Sequence, residues 1–229
     1  MCKKSQYILV LVLLLAFTPA KAQDEGYFAE LGLVGGGCFY MGDVNSTTLY
    51  RNTNGMVGVV ARYNVNPRFS LKADIVSAGI EGNTQSMEGS IPGDGIGFSR
   101  TIYDFGLQAE CNFNAYGMTT WNGSRRLVPY YLLGIGLTYA PKPAEKVFAV
   151  NFPIGLGLRY KLAERVNIGL EWTMRFTSTD KLDVTLVNTG TSLDDQFQIK
   201  GKGFKNKDSY SFTMLYLTFD IFARPCDCN

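Results

Sequence analysis

Two neighbouring segments, Phe148 to Leu162 and Val166 to Phe176, alternate apolar and polar residues across a three-residue turn. In the first, Phe148, Val150, Phe152, Ile154, Leu156, Leu158, Tyr160 and Leu162 share one face. Ala149, Asn151, Pro153, Gly155, Gly157, Arg159 and Lys161 share the other. In the second, Val166, Ile168, Leu170, Trp172, Met174 and Phe176 oppose Asn167, Gly169, Glu171, Thr173 and Arg175. A period of two is the signature of a strand, because successive side chains leave a pleated backbone on opposite sides. Both runs exceed an ordinary soluble strand, and each reaches the roughly 9–11 residues with which a tilted strand crosses a bilayer. The hairpin has one oily face and one charged face.

Six further segments read as strands: Tyr27 to Tyr40, Met56 to Val65, Phe69 to Glu81, Phe98 to Phe113, Leu127 to Tyr139 and Tyr210 to Phe222. Their connections alternate in length. Asn66-Pro67-Arg68, Asn114 to Arg126, and Ala163-Glu164-Arg165 are the even ones; Met41 to Gly55, Gly82 to Gly97, Ala140 to Lys146, and Thr177 to Ser209 are the odd ones. Only the fourth, longer than the fifth, breaks the pattern of short then long. The reading is an all-β fold: an eight-stranded antiparallel transmembrane β-barrel with short periplasmic turns, longer outer loops and both termini periplasmic, in the cell outer membrane.

Sorting faces strand by strand puts Glu30, Arg62, Lys72, Asp74, Asp104, Glu110, Arg159, Lys161, Glu171 and Arg175 on the polar side, five acids and five bases. An eight-stranded barrel has an interior just wide enough for side chains to fill, so these charges are expected to pair with one another and plug the lumen. Two other arrangements compete: a soluble sandwich that solvates the same charges, and a lipid carrier with the apolar face inside. The last strand is ambiguous. Leu215, Leu217, Phe219 and Ile221 share one face, but Tyr210, Phe212, Met214 and Tyr216 crowd the other, so its orientation stays open.

Residues 1–22 read as a secretory signal: Lys3 and Lys4, an apolar run from Tyr7 to Phe17, and small residues at Ala20-Lys21-Ala22. The expected barrel domain is 23–229, ending in a short periplasmic tail from Ala223 to Asn229. The signal holds three of the 22 basic residues and none of the 20 acidic ones, which leaves a formal charge of −1 and argues against a polyanion partner such as nucleic acid. Beyond the signal no stretch approaches the roughly 18 apolar residues of a spanning helix.

The chain has no histidine, which removes the usual general base and the commonest zinc ligand. No catalytic, cofactor or metal site is expected, and Asp194-Asp195 reads as solvated loop charge. Gly134-Ile135-Gly136, Gly155-Leu156-Gly157 and Gly35-Gly36-Gly37 lie inside strands rather than before a helix, so they read as space for large neighbours, not a phosphate cradle. Of the cysteines left after export, Cys38 and Cys111 fall near opposite ends of the barrel and are badly placed to bridge. Cys226 and Cys228 sit on the tail with Arg224. Three readings stay open for them: a local disulfide or incidental thiols, a bond to a periplasmic partner, and capture of a soft metal.

Several segments in order resemble a family, the PorG-type outer-membrane β-barrels of the type IX secretion system. They are Tyr40-Met41-Gly42-Asp43-Val44-Asn45, Arg62-Tyr63-Asn64-Val65-Asn66-Pro67-Arg68-Phe69-Ser70-Leu71, Pro129-Tyr130-Tyr131-Leu132-Leu133-Gly134-Ile135-Gly136, Gly155-Leu156-Gly157-Leu158-Arg159-Tyr160-Lys161-Leu162 and Thr179-Asp180-Lys181-Leu182-Asp183-Val184. The resemblance implies a non-enzymatic barrel that anchors a periplasmic ring, built in that family from the lipoprotein PorK and the protein PorN. The rest of the 177–209 loop and the cysteine tail match nothing in the family pattern. On that reading the tail, with Arg224, Cys226 and Cys228, is the expected contact with the ring. The alternatives are a surface-binding barrel that grips a ligand with its long outer loops, and a small pore.

Overall fold

The computed structural model describes residues 27–41, 49–50, 52–83, 97–117, 124–141, 146–179, 182 and 207–223. Eight strands run in order: β1 (Tyr27–Met41), β2 (Asn54–Asn66), β3 (Phe69–Asn83), β4 (Gly97–Asn112), β5 (Leu127–Ala140), β6 (Val147–Ala163), β7 (Val166–Thr177) and β8 (Ser209–Ala223). Every strand expected from the sequence is present, with ends within two residues. Residues 1–22, read above as a signal, most of the 177–209 loop and the tail residues Arg224, Cys226 and Cys228 lie outside the described residues.

Each strand pairs antiparallel with its sequence neighbour, and β8 returns to β1, closing the barrel. Closure satisfies the backbone hydrogen bonds that a bilayer core could not. Directly opposed residues can be followed once round. Ala29, Tyr63, Leu71, Ala109, Leu133, Ile154, Met174 and Ser211 lead back to β1 at Phe39, ten residues from the start. That stagger tilts the strands and fixes which side chains share a level inside.

The outer surface is what alternation demands of a lipid-facing wall. Leu33, Val57, Ile75, Leu107, Leu133, Ile154, Leu170 and Leu217 form an exposed aliphatic belt. Aromatic side chains rim it at both ends: Tyr63, Phe113, Tyr131, Tyr160 and Phe222 near the short turns, and Tyr103, Tyr139, Phe148, Trp172 and Phe176 toward the long loops. A soluble sandwich or an apolar-lined carrier would reverse these faces. β8 keeps one orientation from Tyr210 to Ile221, with Leu215, Leu217, Phe219 and Ile221 outward and Tyr210, Phe212, Met214 and Tyr216 buried inside; only beyond it, at the irregular end of the β1 pairing, is Phe222 exposed as well.

The two tight turns and the β1–β8 seam each carry a register shift at the turn end, at Asn64/Asn66, Lys161/Ala163 and Tyr27/Ala29/Glu30. Extra residues at a barrel rim bend the strand and end pairing. In the β2–β3 turn the Asn66 side-chain oxygen accepts from the backbone N–H of Arg68 and of Phe69, both at 2.8 Å. Pro67 supplies the fixed φ for that turn. At the loop end, Tyr50 packs over Phe39 with ring centroids 4.7 Å apart and shares a 3.1 Å hydrogen bond with Thr213, so Phe39 is covered although it points outward.

Candidate functional site

The inward faces stack into levels, and near the turn end these levels are ionic. Arg62 lies across Glu110, with Nε to Oε2 at 2.8 Å and Nη2 to Oε1 at 3.1 Å, while its Nη1 reaches Glu30 at 2.9 Å. Arg159 donates to the same Glu110 at 2.6 Å. Glu30 is held further by Asn64 at 2.7 Å and Thr218 at 2.8 Å. One level toward the loops, Lys72 pairs with Glu171 and lies 3.7 Å from Asp74. The Tyr130 hydroxyl donates to Glu171 at 2.7 Å. Above it Arg175 pairs with Asp104 and reaches Asp74 at 3.2 Å, with Asn151 and Tyr210 donating to Asp104.

All ten charges singled out in the sequence are buried in the lumen. Nine join one chain of ion pairs; Lys161 does not. Its partner is Asp220 of β8, which also accepts from Asn167 at 2.8 Å. The expectation that the ten pair only with one another is corrected here: an eleventh charge was hidden by the aromatic crowding of β8. Arg100, of the same parity as Asp104 and Glu110, is a further buried cation, and strict alternation along β4 would have found it.

Both mouths are filled by side chains from connections. The fourth connection is long because it folds back under the barrel. The Tyr116 N–H donates to the Pro67 carbonyl at 3.0 Å, and Arg125 and Ala115 pair at 2.8 Å. This turns the Tyr116 ring beneath Arg159, 4.9 Å from its guanidinium, with the hydroxyl on Asn167 at 2.7 Å. At the other mouth Leu182 is fully buried. Its N–H donates to Asp208 at 2.8 Å, its carbonyl accepts from Arg100 at 3.4 Å, and Tyr40 donates to Asp208. No strand alternation marks Tyr116 or Leu182, because neither belongs to an alternating run; Leu182 stands out only as part of the 179–184 segment that carries the resemblance.

Glycines make the inner packing fit. A Cβ at Gly157 would lie 2.2 Å from the Tyr130 ring, and one at Gly169 would lie 2.3 Å from that of Tyr216. Both rings occupy the space a side chain would take. Cys38 faces the lumen and is buried; Cys111 is half-buried and pairs opposite Phe69 at the turn end, so the two thiols sit at opposite ends. Among the described residues no group of three His, Cys, Asp or Glu side chains could hold a metal ion. Among the described residues Glu30, Asp74, Asp104, Glu110, Glu171 and Asp220 each lie within ion-pair distance of a cation, and Asp208 is held by Tyr40 and the Leu182 N–H.

A family model described as "Domain of unknown function (DUF6089)" matches residues 5–229. The chain belongs to that family. Three solved outer-membrane proteins are similar to this DUF6089 chain in fold. The N-terminal β-barrel domain of Pseudomonas aeruginosa OprF shares 11% identity over 83% of this chain and 96% of that one, with a TM-score of 0.46. Neisserial surface protein A (NspA) shares 10% over 84% and 97%, with a TM-score of 0.47. Ail, the attachment invasion locus protein of Yersinia pestis, shares 13% over 84% and 98%, with a TM-score of 0.43, in a complex with the heparin analogue sucrose octasulfate. No curated protein sequence matches the chain. The DUF6089 chain is a closed, eight-stranded antiparallel barrel with an apolar outer wall and an ion-paired interior.

Proposed function

We propose that this protein is a non-enzymatic outer-membrane barrel that anchors a periplasmic protein-secretion complex of the type IX kind. Both termini then lie in the periplasm, and ring proteins resembling PorK and PorN are the partners. The observation that carries this reading is the filled lumen. Ion pairs fill it from the turn end to the level of Asp104 and apolar side chains fill it beyond, with Tyr116 at one mouth and Leu182 at the other, so the working surfaces are the two ends of the barrel. The tail with Arg224, Cys226 and Cys228 is the contact we assign to the ring.

Co-purification of the membrane complex without reductant tests this. The expected result is a periplasmic protein retained with the barrel, and a crosslink lost in the double variant Cys226→Ser, Cys228→Ser. Normal assembly and secretion by that variant would remove the covalent contact but leave the anchor; recovery of the barrel alone would remove both. A second reading, ligand binding by the long outer loops, draws support from the way Asp208, Tyr40 and Arg100 pin the base of the seventh connection to the barrel mouth. Deleting residues 184–206 should then abolish surface binding while the periplasmic complex survives. The small pore makes a third prediction, stable conductance in planar bilayers. The ion-paired lumen predicts none.

A further inference from the structure

The turn end carries a ring of arginines. Arg68 stands in the β2–β3 turn, Arg125 and Arg126 in the β4–β5 connection, and Arg165 in the β6–β7 turn; all four are exposed. These three connections hold four arginines, no lysine and one acid, Glu164, a net charge of +3. The four loops at the opposite end, residues 42–53, 84–96, 141–146 and 178–208, hold eight basic and nine acidic residues, a net charge of −1. None of the four arginines takes part in an ion pair among the described residues. The terminal segments, outside the described residues, add Asp24, Glu25, Arg224 and Asp227, a net charge of −2 that brings the sum to +1.

Their depth is set by the strands. Arg68 directly precedes Phe69, Arg126 directly precedes Leu127, and Arg165 directly precedes Val166, the first residues of β3, β5 and β7. The outward aromatics Tyr63, Phe113, Tyr131 and Tyr160 lie a few residues away on the same wall. Side chains just beyond such a girdle lie at the level of the lipid headgroups. Arg165 is also held in place, with Nε donating to the Tyr27 hydroxyl at 2.8 Å and its guanidinium 5.2 Å from the Tyr27 ring. The planar guanidinium, with five donors, suits a phosphate better than an ammonium does.

We infer that this rim is a binding surface for anionic phospholipid headgroups of the leaflet the short turns face. The four cations occupy every connection at this end and are spread around the circumference. A belt of surrounding lipids meets such a spread directly, whereas one docked protein would favour a cluster on a single side. Engagement of the rim fixes the barrel's depth and distinguishes its two ends.

The test uses the full mature chain folded into nanodiscs of mixed phosphatidylcholine and phosphatidylglycerol, followed by extraction and native mass spectrometry of the retained lipid. The wild type should retain phosphatidylglycerol in excess of its share. The quadruple variant R68Q, R125Q, R126Q, R165Q should lose that enrichment and retain the two lipids in proportion to their share of the nanodisc. The corresponding four-lysine variant reports on charge alone and should keep most of the enrichment, which guards against a loss caused by misfolding. Equal retention of both lipids by the wild type would overturn the proposal. So would loss of a co-purified acidic protein from the glutamine variant with its lipid profile unchanged, which would assign the rim to a protein partner.

Discussion

The lumen has two regions that fill the same kind of space by opposite means. From the turn end to the level of Asp104, it is packed with Glu30, Arg62, Glu110, Arg159, Lys72, Glu171, Asp74 and Arg175. Toward the loops, Tyr40, Phe98, Ile80, Ile102, Phe212, Val147 and Ala149 form an ordinary apolar core, with Tyr40 and Phe98 edge to face at 5.0 Å. The apolar side chains need only shape, and the polar groups among them, Arg100 and Asp208, are met by Leu182, Ala140 and Tyr40. The ionic region needs every partner, because a buried charge gains enough from its neighbour only when the geometry is good and the remaining donors are satisfied. Even so, Arg159 Nε and Arg175 Nε are buried without a hydrogen-bond partner. The difference teaches that the ionic half is the brittle one. It closes the barrel tightly but tolerates the loss of single members poorly.

Substitutions can break or sharpen that contrast. The largest effect is expected at Glu110, which three cations share. Glu110→Ala leaves them without their common acid and should cost about 3–5 kcal/mol, read as a lowered urea midpoint for unfolding from lipid vesicles. A cost no greater than that of an apolar truncation would dissolve the distinction. Next comes Gly157→Ala, whose added methyl meets the Tyr130 ring; overpacking of this kind costs about 1–3 kcal/mol. A stability equal to wild type would show that Tyr130 can move.

The Lys161–Asp220 pair permits a double-mutant cycle. Lys161→Met and Asp220→Leu should each destabilise, and the combined variant should recover part of the sum, a coupling of about 0.5–3 kcal/mol. Zero coupling would mean that the pair fills space and nothing more. The smallest effect belongs to the apolar region, where Ile102→Val should cost about 0.5–1.5 kcal/mol. A larger loss there would show the two halves to be equally demanding.

Much of this was legible along the chain, and the reason is local. Side-chain direction in a strand depends on the residue's own φ and ψ, so alternation alone sent Arg159, Lys161, Glu171 and Arg175 to one side and Leu156, Leu158 and Trp172 to the other. Reading failed where that signal was masked or absent. Asp220 shares its face with Tyr216, Met214 and Phe212, and a face so rich in large apolar groups does not look like a lumen. Tyr116 and Leu182 sit in connections, where no period exists. The unusual length of the fourth connection was the one visible trace of Tyr116.

Pairing was beyond the sequence for a different reason. Lys72 and Glu171 are 99 residues apart and Arg175 and Asp74 are 101 apart. Nothing local brings such residues to one level. Strand number, register and the ten-residue stagger around the ring decide it. The sequence by itself therefore determined eight strands, their two faces and a charge-lined interior, since each follows from backbone geometry one residue at a time. Only the tertiary structure decided which charges meet, that Asp220 joins them, and that Tyr116 and Leu182 occupy the two mouths, because those outcomes depend on closing the barrel.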